Sequence, residues 1–340
     1  MLNFEYTNII DSKYRPKLFY KKNKSDRRVG VEIEYSNLPL LNSAAVVSSL
    51  FGGNIVEVNK YKVILKKTKY GDFTFELDAM FLQKIESKGL FTKLSSVIGT
   101  ISSDINDLLE KTSKKFIPFE ISSPPIPISK LPLLDNMIDK LRLQGALGTT
   151  YSFQYAFGVH FNIEPPSDEM GDILKIFKSF LILQKWIEVQ SELDIARKMS
   201  PFINDFPKEY IRLVVNKEYN PDKERFIEDY LFYNPTRNRV LDMLPMLAHW
   251  DEKRVRKQLP DEKINPRPTY HYRLPNSKID LFRWNLSVEF QLWVIVELLA
   301  NNEKLFEEMS EKFFKKIEKA IFSKDEWVEE CQKCVLELLS

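Results

Sequence analysis

Five short segments of this sequence alternate apolar and polar side chains with a period of two, and this pattern restricts the fold more than any other feature. The segments are RVGVEIEY (28–35), DFTFELD (72–78), PFEIS (118–122), GVHFNIE (158–164) and TYHYR (269–273). Successive side chains of a strand point to opposite faces of a sheet, so each segment predicts a strand with one apolar face. Antiparallel sheets commonly have one polar face, so the pattern favours an antiparallel sheet with helices packed on its apolar side.

The polar face of these segments is rich in carboxylates and imidazoles. It carries Glu32, Glu34, Glu76, Asp78, Glu120, His160, Asn162, Glu164, His271 and Arg273. A hydrated surface is one interpretation, but such surfaces usually carry Lys, Thr and Ser, and carboxylates about 5 Å apart across strands repel one another. Divalent cations relieve this repulsion, and Mg²⁺ prefers carboxylate oxygens, often together with phosphates. The pattern therefore favours a metal site.

The spacing of apolar residues predicts helices between and after the strands. A short helix closed by Gly52 and Gly53 follows the first strand, and the segments NIVEV, YKVIL and DFTFELD then predict an antiparallel meander. Helical spacing recurs at roughly 92–114, 129–145, 168–200 and 284–338, with shorter helices before about 258. The sequence predicts one α+β domain over residues 1–300, with a helical appendage at 301–340 packed on it.

Composition excludes several classes of partner. The chain of 340 residues has 50 basic and 48 acidic side chains, and this balance argues against a nucleic-acid-binding surface. The most apolar stretch, residues 290–300, is too short to span a bilayer and contains Glu297. Only two cysteines occur, and the N-terminus lacks the pattern of a secretory signal. We expect a cytoplasmic protein without a membrane or nucleic-acid partner; a homo-oligomer is left open.

A group of basic residues is suited to phosphate binding. It consists of Arg27, Arg28, Arg197, Lys198, Arg237, Arg239, Arg267 and Arg273. The segment NPTRNR (234–239) places two arginines and Asn238 in a turn before a helix, where side-chain forks and helix N-terminal amides can hold phosphate. Surface solubility is the alternative explanation for these arginines.

Six segments in this order resemble the putative amidoligase family, whose members are carboxylate–amine ligases related to glutamate–cysteine ligase and glutamine synthetase. They are GVEIE, GDFTFELD, FEISSPP, GALGTT followed by YAFGVHFNIE, NPTRNRVLDMLP and RPTYHYRLPN, and the resemblance covers roughly residues 25–300. It implies a curved antiparallel sheet that forms a funnel backed by helices. It also implies an ADP-forming ligase that uses ATP with Mg²⁺ or Mn²⁺ to join a carboxylate, expected to be glutamate-like, to an amine on a small metabolite or peptide.

The resemblance also implies roles for individual residues. The metal ligands would be Glu32, Glu34, Glu76, Asp78, Glu120 and His160. The nucleotide phosphates would contact Arg28, Arg237, Asn238, Arg239 and Arg267. The catalytic residues would be Glu34, His160 and Arg273.

Two positions depart from the family pattern. Many relatives have a second histidine at the position of Asn162, and glutamate–cysteine ligases often have a glutamate at the position of His271. A metal ligand could be lost or exchanged there, so the number of metals is left open. A non-catalytic subunit of the same fold that binds nucleotide or peptide is the second interpretation.

Two further features have structural explanations. Cys331 and Cys334 follow helical apolar spacing, which predicts buried thiols without a metal or redox role. His249 is expected at a helix surface or at an interface.

Overall fold

A computed structural model describes residues 18–77, 118–149, 157–191, 203–319 and 322–340. These residues form an α+β protein with a nine-stranded antiparallel sheet that does not close into a barrel. The predicted helix at 92–114 lies outside the described residues, as do Asp78, Arg197 and Lys198. The antiparallel sheet and the α+β class predicted from the alternating segments are confirmed; the funnel shape stays a prediction.

The strands have the following bounds: β1 Arg28–Tyr35, β2 Asn54–Asn59, β3 Lys62–Thr68, β4 Gly71–Leu77, β5 Phe119–Ser122, β6 Ile126–Pro127, β7 Val159–Ile163, β8 Leu241–Asp242 and β9 Tyr270–Tyr272. Their order across the sheet is β2-β3-β4-β5-β1-β7-β9-β8, and β6 pairs with the start of β1.

The helices of the described part have the following bounds: α1 Leu40–Phe51, α2 Pro132–Leu143, α3 Met170–Gln190, α4 Lys208–Val215, α5 Lys223–Tyr233, α6 Leu244–Gln258, α7 Leu286–Asn301, α8 Glu303–Ile317 and α9 Lys324–Leu339. None of these helices combines the length and the apolarity needed to cross a membrane.

Strand β1 is the first strand of the described chain and lies in the middle of the sheet. It pairs antiparallel with β5 on one side and with β7 on the other. Its apolar residues Val29, Val31 and Ile33 have no exposed surface. Because side chains alternate along a strand, burial of this set directs Glu32 and Glu34 to the opposite face.

The apolar face of the sheet is covered by helices rich in aromatic residues. The Phe290 ring of α7 lies 5.3 Å from the ring of Phe161, and the Trp293 ring lies 5.2 Å from Tyr270 and 5.4 Å from Tyr272. Such tilted and edge-to-face pairs add to the stabilisation from apolar burial. At the other end of the sheet, α1 packs on β3 and β4.

The C-terminal helices pack against α3, most of whose residues are buried. The Trp327 indole of α9 donates a hydrogen bond to the Ile182 carbonyl oxygen at 2.9 Å, and its ring stacks 4.9 Å from Phe313 of α8. Cys331 and Cys334 are buried on the same helix, as their spacing predicted. Residues 301–340 are thus attached to the body of the protein by buried contacts; the division into a domain and an appendage stays a prediction.

Candidate functional site

The polar face of the sheet lines a cavity of about 760 Å³. This volume is within the range of small-molecule and cofactor sites. Two classes of charged side chain share the lining. The acidic residues are Glu32, Glu34, Glu76, Glu120, Glu164, Asp261 and Glu262, and the basic residues are Arg28, Lys62, Arg237, Lys263, Arg267 and Arg273.

Strand register arranges the polar side chains in rows across the sheet. One row runs through facing pairs Lys62–Glu76, Glu76–Glu120 and Glu120–Glu34. The next row places Glu32 between Ser122 and His160. A third row runs through the pairs Gly30–Asn162, Asn162–His271 and His271–Asp242. Segments far apart in sequence therefore meet on one face, as the shared alternation predicted.

Glu32 is the centre of the cavity wall, and its two carboxylate oxygens have different neighbours. Oε1 accepts hydrogen bonds from Asn162 Nδ2 at 2.8 Å and from an Arg267 Nη at 3.3 Å. Oε2 lies 3.0 Å from His160 Nδ1 and 3.5 Å from His271 Nε2. One oxygen is thus held by an amide and a guanidinium, while the other faces two imidazole nitrogens.

Asp242 lies behind His271 and has no exposed surface. Its Oδ2 lies 3.5 Å from His271 Nδ1 and 3.5 Å from Arg237 Nε, and its Oδ1 accepts the Leu244 N–H at the start of α6. Asp242 was not among the predicted site residues, because a strand of two residues shows no alternation. Asp242 lies in NPTRNRVLDMLP, one of the six segments that resemble the family, and this position could have marked it as a candidate site residue.

The charges of this cluster influence one another. Burial acts to raise the pKa of Glu32, but the adjacent imidazoles of His271 and His160 hold it well below its usual range. Burial, together with the Arg273 guanidinium, lowers the pKa of His160 to about 3, although Glu32 opposes this shift. Burial also acts to raise the pKa of Asp242, but His271 and nearby arginines hold it below its usual value. A charged Glu32 therefore faces a neutral His160 near pH 7.

The carboxylates of the first row contact a backbone amide, a hydroxyl, an imidazole and a lysine. Glu34 accepts the Gly158 N–H at 2.6 Å, and its Oε1 lies 3.8 Å from His160 Nε2. Glu120 accepts the Ser122 hydroxyl at 2.9 Å. Lys62 pairs with Glu76 at 2.8 Å, which neutralises one end of the row.

Four arginines line the same cavity. Arg273 donates to the Arg237 carbonyl oxygen at 2.9 Å, and Arg28 donates to the Pro125 carbonyl oxygen at 2.9 Å. Together with Arg267 they present guanidinium groups beside the carboxylates, and Asn238 also lines the space. Guanidinium groups can hold an anionic group, and the neighbouring carboxylates can hold cations.

One predicted phosphate ligand lies elsewhere. Arg239 does not line the cavity; it donates to the Asp205 carbonyl oxygen at 2.6 Å and lies over the Phe206 ring at 5.9 Å. Its neighbour Arg237, two residues earlier, faces the cavity instead. Arg27 is buried and pairs with Glu297 of α7, so its role is structural.

The structure also adds a candidate metal ligand. In the described part of the chain, one group of at least three His, Cys, Asp or Glu residues brings its donor atoms within 4.8 Å of one another: Glu32, His160 and His271. His271 was absent from the predicted ligands. Its alternation with Tyr270 and Tyr272 placed it on the correct face, but only strand pairing shows that it reaches Glu32.

A family model described as putative amidoligase enzyme matches residues 25–295, which is about four-fifths of the chain. No curated protein and no solved structure matches.

Proposed function

This chain belongs to the putative amidoligase family, and from that premise we propose that it is an ATP-dependent ligase that joins a carboxylate to an amine. The observation that carries the proposal is one cavity lined by both a row of carboxylates and several arginines. Phosphoryl transfer depends mainly on alignment and charge neutralisation, and these side chains can supply both. The acid is expected to be glutamate-like, and the amine a small metabolite or peptide.

The reaction needs an activated acid, because a carboxylate would have to expel oxide. In the proposed route the γ-phosphoryl group of ATP passes to a carboxylate oxygen, which gives an acyl phosphate and ADP. The amine nitrogen then attacks the carbonyl carbon, the carbon–oxygen bond to phosphate breaks, and the amine loses a proton. Arg28, Arg237, Asn238 and Arg267 would hold the phosphates, and Arg273 would stabilise charge on the transferred group.

The carboxylate row fits a hard divalent cation. Glu34 and Glu120 face each other in register and offer the oxygen donors that Mg²⁺ or Mn²⁺ accepts together with phosphate. Glu76 is the third member of the row, although Lys62 already pairs with it. A bound cation would neutralise charge that develops on the phosphoryl oxygens.

Glu34 is the candidate for taking the proton of the amine. Burial lowers the pKa of His160 to about 3, so its ring binds a proton too weakly to act as the general base near pH 7. The His160 ring is therefore suited to ligation or hydrogen bonding in its neutral form. Glu34 directs Oε1 towards the His160 side of the cavity and so lies among the groups that would surround the reacting atoms.

A non-catalytic subunit that binds nucleotide or peptide is the second candidate. The observation that favours it is the Lys62–Glu76 ion pair, since this carboxylate is satisfied by a protein cation and is less available to a metal. Such a subunit would bind ATP without consuming it.

Trapping with hydroxylamine tests the ligase proposal. The full chain is incubated with ATP, Mg²⁺, hydroxylamine and a panel of amino acids and small diacids that includes glutamate. We expect hydroxamate and ADP without the natural amine, loss of both in Glu34→Gln, and retention in the control Glu57→Gln, which replaces an exposed glutamate of β2 outside the cavity. AMP and pyrophosphate would overturn the acyl-phosphate route. No product across the panel would overturn the ligase proposal and favour the binding subunit.

A further inference from the structure

We propose that Glu32, His160 and His271 form a binding site for a first-row transition-metal dication, distinct from the all-oxygen carboxylate row. The proposal does not depend on ligase activity, because it stands on the chemistry and spacing of three side chains. It adds His271 to the ligands, and it changes the class of cation expected at this position from a hard ion to one that accepts nitrogen.

The donor distances match the edges of a coordination shell. Zn²⁺ and similar ions hold nitrogen at about 2.0–2.1 Å and carboxylate oxygen at about 2.0–2.2 Å. Two such donors therefore lie about 3.0 Å apart at right angles and about 3.4 Å apart at a tetrahedral angle. Glu32 Oε2 lies 3.0 Å from His160 Nδ1 and 3.5 Å from His271 Nε2. The three residues could thus surround one ion with small side-chain movements.

His271 is a buried histidine, with 2% of the residue exposed, and its ring nitrogens have only long contacts to the described residues. Nε2 lies 3.5 Å from Glu32 Oε2 and Nδ1 lies 3.5 Å from Asp242 Oδ2, and neither contact is a well-aligned hydrogen bond. A buried polar atom without a partner costs about 1–3 kcal/mol. Nε2 points to Glu32 Oε2 at 3.5 Å, so a bound cation would satisfy the nitrogen that the protein leaves unsatisfied.

Neighbouring groups favour ligation by the correct atoms. Asp242 lies on the Nδ1 side of His271, which favours the tautomer that leaves the Nε2 lone pair facing Glu32. Asn162 and Arg267 hold Glu32 Oε1 and so orient Oε2 towards the imidazoles. A carboxylate behind a ligating histidine is the usual supporting contact of such sites.

The donor set selects the class of metal. Imidazole nitrogen suits Zn²⁺, Co²⁺, Ni²⁺ and Cu²⁺, whereas Mg²⁺ and Ca²⁺ prefer oxygen ligands. Two imidazoles and one carboxylate leave coordination positions for water or substrate, and these positions would face the cavity that the three residues line. Binding at His160 Nδ1 would require the tautomer that carries the ring proton on Nε2, because Nδ1 must offer its lone pair.

Cobalt provides a visible probe for this site. Chelator-treated full-length protein is titrated with Co²⁺ and followed by visible absorption and calorimetry. We expect one strong site that a large excess of Mg²⁺ does not displace. His271→Ala should weaken Co²⁺ binding at least about 100-fold, and Asp242→Asn about 10–100-fold. His249→Ala is the matched control, because it removes the exposed third histidine of the chain and should change nothing.

Two outcomes would overturn the site: equal Co²⁺ affinity in His271→Ala, or displacement by equimolar Mg²⁺. Since a variant could fail to fold, X-ray absorption on the wild-type Co²⁺ protein gives an independent answer. Mixed nitrogen and oxygen donors support the site, and an oxygen-only shell overturns it. The hydroxamate assay separates this proposal from the proposed function, because strong Co²⁺ binding without hydroxamate would refute only the ligase, and the reverse result would refute only the transition-metal site.

Discussion

Replacing Glu297 by glutamine removes one charge from a buried ion pair while keeping the size of the side chain. The Arg27 side chain has no exposed surface and that of Glu297 is 7% exposed. Two guanidinium nitrogens of Arg27 donate to the two Glu297 oxygens at 2.7 and 2.8 Å, and the Trp293 indole donates to the same carboxylate at 2.7 Å. The pair joins the residue before β1 to α7 and so anchors the strand that carries Glu32.

The expected loss is large because Arg27 would remain charged and buried after losing the carboxylate that accepts from two of its nitrogens. Breaking a buried ion pair on one side costs about 3–5 kcal/mol. For a chain of 340 residues the entropy of unfolding is about 0.7 kcal/mol/K, so this loss lowers the Tm by about 4–7 °C. The amide oxygen of glutamine can still accept from Trp293, which leaves the lost charge as the main cause.

Thermal and chemical denaturation of Glu297→Gln measure this loss. The control is Glu318→Gln, which breaks an exposed ion pair between Glu318 and Arg212. The Arg212 side chain is 61% exposed and the Glu318 side chain is 41% exposed. That change should cost less than about 1 kcal/mol. The double variant Arg27→Met with Glu297→Leu should recover much of the stability, because apolar groups replace a desolvated pair. If Glu297→Gln unfolds within about 1 kcal/mol of the parent, the reasoning is refuted.

Two further predictions concern the fold. Gly148→Ala should destabilise the protein by about 3 kcal/mol, because a Cβ there would overlap the Ser277 carbonyl oxygen and lie 2.6 Å from Asp280 Oδ1. At Gly171 in α3, no atom lies within 4 Å of the new Cβ, so Gly171→Ala should stabilise the protein by about 0.5–1 kcal/mol. Denaturant titrations measure both variants, and equal changes in unfolding free energy for the two would contradict this prediction. Burial lowers the pKa of Lys178 to about 8, whereas the unfolded lysine keeps its proton up to about 10.5, so the unfolded state binds more protons between these values. The unfolding free energy of the parent minus that of Lys178→Met should therefore rise by about 2 kcal/mol from pH 7 to pH 9.5. If this difference does not change with pH over this range, the lowered pKa of Lys178 is refuted.

The sequence predicted the faces of the sheet well, because alternation is a local property. Val31 and Ile33 are buried and Glu32 and Glu34 face the cavity, as their two-residue period requires. The same reasoning placed His160 on the polar face.

The partners of individual charges were harder to predict, because they depend on contacts across long sequence separations. Arg237 and Arg239 share one turn, yet only Arg237 lines the cavity, while Arg239 is held by the Asp205 carbonyl oxygen. Glu297 was visible only as a charge within an apolar stretch, and its partner Arg27 lies 270 residues away. Spacing along the chain carries no information about such a pair.

The sequence by itself determined which side chains share the polar face, since the period of a strand is a property of the covalent backbone. Only the tertiary structure decided which of them meet. In the sheet, β7 lies between β1 and β9, and β8 lies on the other side of β9. This order makes neighbours of Glu32, His160, His271 and Asp242. Strand order depends on contacts between segments far apart in the chain and on the helices that pack against the apolar face, so it reflects a collective free energy and not a local pattern.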